Sequence, residues 1–118
     1  MNQIIAVDFD GTLCEHKYPE IGRANIPLIE LMKELRAKGA RIILWTCRGG
    51  KELSEAVEWC GTFGLAFDAV NENVEDARFK LKDFGCRKVY ANLYIDDRAV
   101  SPDGMLNAAI SFPKAGVW

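Results

Sequence analysis

The chain has 118 residues, 49% apolar and 27% charged, which suits one folded domain with its own core and excludes a disordered chain. Fifteen Lys and Arg against seventeen Asp and Glu leave a net charge of −2, so no basic excess points to a nucleic-acid face or an anionic membrane surface. No apolar run approaches bilayer length and no secretion signal is visible, and Cys14, Cys47, Cys60 and Cys86 form no C-x-x-C pair, so the expectation is a cytoplasmic protein with free thiols.

In chain order, Ile4-Ile5-Ala6-Val7 reads as a parallel strand covered on both faces. A polar flap spans residues 14 to 24. Asn25 then caps a helix with Leu28, Leu31, Met32 and Leu35 inward and Gly39 as its stop. Arg41 to Trp45 is a second buried strand. Gly49-Gly50 opens a helix with Leu53, Ala56, Val57 and Cys60 inward, closed by Gly64. Phe67 to Val70 is a weaker third strand, residues 72 to 88 are charge-rich and ambiguous, and Leu93-Tyr94-Ile95 is a fourth strand. The tail reads as loop, a short helix near Met105 to Ala109, and an edge strand near Ile110 to Phe112.

Alternating strands and helices predict a single α/β domain over residues 1–118, a three-layer Rossmann-like parallel sheet with helices on both faces. Ligands of such sheets bind beyond the carboxyl ends of the strands. Three strands end there in polar residues: Asp8-Phe9-Asp10, Thr46-Cys47-Arg48 and Asp96-Asp97. One aspartate after one strand is ordinarily a cap or turn residue. Several on one rim repel one another unless a cation joins them, and acids crowded without histidine suit a hard, oxygen-seeking ion, Mg²⁺ by default.

Asp8-Phe9-Asp10-Gly11-Thr12-Leu13 resembles the opening D-x-D-G-T/V-L/V signature of the haloacid dehalogenase (HAD) superfamily. A Thr ending the second strand, a Lys and paired acids ending the fourth follow in that superfamily's order, and the likeness covers residue 3 to about 100. Ala91 to Arg98 is similar, more loosely, to the corresponding stretch of 5′(3′)-deoxyribonucleotidases. The resemblance implies a capless Mg²⁺-dependent phosphatase. Asp8 would be the nucleophile that forms an aspartyl-phosphate, and Asp10 the general acid and base. Mg²⁺ would be held by Asp8, the Asp10 carbonyl and Asp96, with Asp97 acting directly or through water.

By the same resemblance, the Thr46 hydroxyl and the Cys47 N–H would hold the phosphoryl group. A lysine would neutralise it, Lys88 by the deoxyribonucleotidase-like spacing, Lys82 or Lys80 if it is borne on a helix. Arg48 either contacts phosphate or sits in solvent, and His16, the single histidine, is a surface residue or touches substrate. A site without a cap implies a phosphorylated small molecule or macromolecule end as substrate, or a homo-oligomer whose neighbour covers the opening. The rival classes are a receiver-like phospho-acceptor and a catalytically idle Mg²⁺ or phosphate module. Receivers carry adjacent acids after the first strand and the accepting Asp after the third, an order this chain lacks.

Overall fold

The computed structural model describes residues 3–75 and 87–111, the last five by backbone alone. β1 (Ile4–Val7) is buried at every position, as its uninterrupted apolar run predicts. It is followed by an antiparallel hairpin, β2 (Cys14–Lys17) and β3 (Glu20–Ala24), whose turn holds a cis Tyr18–Pro19 peptide bond. α1 (Ile26–Ala37) starts at Asn25, whose Oδ1 accepts from the Leu28 N–H at 3.3 Å, and carries Pro27 in its first turn. Its chain reverses at Gly39, where φ is 103°. β4 (Arg41–Leu44), α2 (Gly50–Thr62), β5 (Ala69–Val70), β6 (Leu93–Ile95) and α3 (Pro102–Ser111) complete the order.

Among the described residues, the main sheet is four-stranded with order β5-β4-β1-β6, and all its pairings are parallel. The chain steps from β1 to β4 to β5 in one direction, then returns to place β6 on the other side of β1. Right-handed crossovers put the connections of the first two steps on one face and that of the return on the opposite face. The core obeys this rule. Ile5, Val7, Ile42 and Leu44 pack with Ile29 and Met32 of α1 and Ala56 and Cys60 of α2. On the other face, Ile4, Ala6, Ile43 and Ala69 meet Val74, Val89 and Ala91. Each fully buried Ile or Leu contributes roughly 1.5–3 kcal/mol, so the two faces together fix the register of the sheet.

Several expectations need correction. Among the described residues, α1 and α2 pack on the same face of the sheet. Much of the charge-rich stretch, 76–86, falls outside the described residues, and so does Phe112. The backbone at Ile110 and Ser111 is helical, not an edge strand, because α3 begins earlier than periodicity alone suggests. Ser101 caps it, its Oγ accepting from the Gly104 N–H at 3.0 Å. In α1, Leu31 is exposed and Ile29 takes the buried position instead. Among the described residues, no helix is long and apolar enough to cross a membrane.

Candidate active site

Register brings the acidic strand ends together. Val7 is level with Leu44 on one side and Ile95 on the other, so the next residues, Asp8, Trp45 and Asp96, emerge side by side on the carboxyl rim. The ladder runs on into the site. The Asp8 N–H donates to the Ile95 carbonyl and the Trp45 N–H to the Val7 carbonyl, both at 2.9 Å. β1 lies beside the point where strand order reverses, which is where sheets of this kind leave a crevice. A cavity of about 510 Å³ opens there, lined by all three polar strand ends.

The chain after Asp8 is wound tightly. The Phe9 carbonyl accepts from the N–H groups of Thr12 and Leu13 at 3.1 and 2.9 Å, with the buried Phe9 ring as its anchor. Gly11 sits at φ 81°, and a Cβ there would run into the Asp97 carboxylate. Glycine is what lets this loop and the β6 end approach so closely.

Carboxylate oxygens of Asp8, Asp96 and Asp97 all lie within 4.8 Å of one another. Burial pushes the Asp8 carboxyl up to about 6, against a lowering bond from the Phe9 N–H at 2.8 Å, and the charges of Asp96, Asp97 and Asp10 push it further. The donor set is oxygen only, and its mutual repulsion is relieved by a cation. A hard divalent ion fits it better than a metal that seeks imidazole or thiolate.

Thr46 and Cys47 line the same cavity. Asn71 holds the start of this loop: from a left-handed backbone, φ 53°, its Oδ1 accepts from the Thr46 N–H at 2.8 Å. The Thr46 hydroxyl oxygen accepts from the Arg48 N–H at 3.1 Å, which orients the group and leaves its hydrogen to donate. Asn71 was missed by sequence reasoning, although an Asn directly after an apolar strand is a residue that tolerates the left-handed turn. His16 and Tyr18 of the hairpin, Trp45 and Arg98 also line the cavity; of these the sequence singles out only His16 as a substrate contact.

The two basic residues named for phosphate are placed differently. Arg48 lines the cavity and does not sit in solvent: its side chain is 1% exposed and paired to Asp10 through bonds of 2.8 Å on both carboxylate oxygens. The Asp10 side chain accordingly turns to Arg48 and is not part of the carboxylate triad. Lys88 is exposed, with its Nζ 4.9 Å from the centre of the Tyr94 ring, and does not line the cavity. Lys80, Lys82 and Cys86 lie outside the described residues. Of the other cysteines, Cys14 and Cys60 are buried while Cys47 is exposed.

No protein-family model matches the chain, and no curated protein does. A solved structure, of a conserved protein from Bacteroides thetaiotaomicron, is similar at 39% identity with a TM-score of 0.74. The match covers 94% of this chain and 91% of that one. Identity of this level over nearly the whole of both chains shows common descent, and the protein belongs to the same family as this conserved Bacteroides thetaiotaomicron protein.

Proposed function

We propose that the protein is a Mg²⁺-dependent phosphomonoester hydrolase of the HAD type that works through an aspartyl-phosphate on Asp8. The observation that carries this reading is the meeting of the Asp8, Asp96 and Asp97 carboxylates within 4.8 Å, in an open cavity that Thr46 also lines. The carboxylates of Asp8, Asp96 and Asp97, with the Asp10 carbonyl, would hold Mg²⁺, which when bound neutralises the crowded acids and the phosphate oxygens.

In the first half of the reaction, an Asp8 oxygen bonds to phosphorus as the ester P–O bond breaks. The electron pair of that bond goes to the leaving oxygen, and Asp10 supplies the proton that makes it an alcohol. In the second half, Asp10 takes a proton from water while the water oxygen bonds to phosphorus. The bond from phosphorus to Asp8 then breaks, giving inorganic phosphate and returning both carboxyl groups to their starting state. The Thr46 hydroxyl donates to a phosphoryl oxygen throughout, and chemistry of this kind asks mainly for such positioning and charge neutralisation.

The parallel sheet with its switch beside β1 supports the same reading, as does the D-x-D-G-T-L loop built around Phe9 and Gly11. A receiver-like acceptor is disfavoured because β5 is followed by Asn71 where such proteins carry the phosphorylated Asp. The test is hydrolysis of nitrophenyl phosphate with Mg²⁺ and with a chelator, in wild type and Asp8→Asn. Turnover should need the metal and fall by more than about a thousandfold in the variant. Undiminished activity in Asp8→Asn removes the nucleophile, and stoichiometric labelling by acetyl phosphate without turnover favours the receiver class.

A further inference from the structure

The guanidinium of Arg48 is saturated. Its Nε donates to Asp10 Oδ2 at 2.8 Å, and its Nη2 donates to Asp10 Oδ1 and to the Glu20 carbonyl, each at 2.8 Å. Its Nη1 donates to the carbonyls of Pro19 at 3.1 Å and Glu52 at 3.3 Å. A guanidinium has about five N–H donors in all, so none is left for a substrate oxygen. Its faces are covered as well: the Phe9 ring centre lies 4.9 Å from Cζ and the Tyr18 ring centre 5.0 Å. A cation buried to 1% exposure survives in the interior only because every donor is met.

These partners come from separate parts of the chain. Asp10 belongs to the loop after β1, Glu52 to the first turn of α2, and Tyr18, Pro19 and Glu20 to the tip of the hairpin. We infer that Arg48 is a positioning residue that couples the β2–β3 hairpin to Asp10, so that docking of the hairpin sets the orientation of the Asp10 carboxylate toward the cavity. Its reference to catalysis rests on the phosphatase reading; the coupling itself does not.

The planar fork holds the carboxylate along both oxygens at once, a geometry that a lysine ammonium cannot reproduce. Asp10 therefore exchanges protons through the lone pairs that point away from Arg48, and its rotamer is fixed before substrate arrives. If the hairpin tip lifts, Arg48 loses two carbonyl partners and a covering ring together, and the fork is no longer held in one orientation. Because His16 and Tyr18 of the hairpin line the cavity, a substrate that touches them also acts on the bond network that aims Asp10.

The coupling is tested by amide hydrogen exchange over residues 14–24 in wild type, Asp10→Asn and Arg48→Lys. In Asp10→Asn one carboxylate oxygen becomes an NH₂ that opposes the guanidinium. Hairpin amides should then exchange about tenfold faster while β1 and β4 keep their protection. Arg48→Lys should give the same pattern. Unchanged hairpin exchange in Asp10→Asn overturns the proposal even if Arg48→Lys proves too unstable to study.

The catalytic half is read from leaving groups in Arg48→Lys. A dinitrophenyl ester needs little proton donation, whereas an alkyl phosphate needs it fully. The kcat for the alkyl ester should fall about a hundredfold and that for the dinitrophenyl ester only a few fold, with KM unchanged. Equal losses on both esters, or a change confined to KM, refute a role through Asp10. A wild type that hydrolyses neither ester defeats the phosphatase reading and leaves the exchange experiment to decide the coupling.

Discussion

Gly11 carries two demands at one position. Its backbone lies at φ 81°, in the left-handed region, and the space where a Cβ would stand is taken by the Asp97 carboxylate. An alanine there is strained by about 1–3 kcal/mol and must push Asp97 aside. Gly11→Ala is therefore expected to lower the melting temperature and to weaken divalent-cation binding by about tenfold, as measured by calorimetric titration. Cation affinity equal to wild type would separate Gly11 from the carboxylate cluster. The need for glycine was legible in the signature that contains it, and so were the acids on either side. The partner of Asp10 was not. Arg48 is held largely by main-chain carbonyls at 19, 20 and 52, and a sequence does not announce where a carbonyl will point.

At the scale of elements, the loop after β4 depends on the end of β5. Asn71 combines a positive φ, which its short polar side chain tolerates, with an Oδ1 that accepts the Thr46 N–H. Asn71→Gly keeps the backbone and removes the bond, whereas Asn71→Ala loses both. We expect the alanine variant to be less stable by about 1–2 kcal/mol in chemical denaturation, and the glycine variant by less. Both should weaken inhibition by inorganic phosphate, since the Thr46 loop loses its tether; inhibition unchanged in both would show that the tether does not matter. The strands β1 and β4 and the helices α1 and α2 were readable because burial leaves a pattern: unbroken apolar runs in one case, a spacing of three and four in the other. The short apolar run of β6 marked it as a strand although Leu93 and Tyr94 are exposed. The hairpin leaves no such pattern. Cys-Glu-His-Lys is exposed at all but its first position, so its pairing was invisible as periodicity even though the segment was recognisable as a flap. In α3 the signal was present and misweighed, since Ser101-Pro102-Asp103 is a cap, a first-turn proline and a first-turn acid.

Across the whole molecule, the sheet that creates the site also charges the fold for it. The register of β1 between β4 and β6 forces Asp8, Asp96 and Asp97 together, and the Asp8 carboxyl sits at about 6 against an ordinary value of 3.8. A carboxyl raised in the folded state binds its proton more tightly there than in the unfolded chain. Its contribution to stability is therefore largest in acid and is lost as pH rises from about 4 to about 6. A divalent cation bound by the same oxygens acts in the opposite sense, because it prefers the ionised cluster. Metal-free protein should thus be destabilised through Asp8 across this window, a component isolated by subtracting the melting curve of Asp8→Asn. Added Mg²⁺ at about a hundred times its dissociation constant should restore about 2.7 kcal/mol near neutral pH, a rise in melting temperature on the order of 10 °C. That rise should shrink toward about pH 5, where protons compete for Asp8, and largely vanish in Asp8→Asn. A Mg²⁺ effect of equal size at both pH values, or one retained in the variant, would place the ion away from the strand ends.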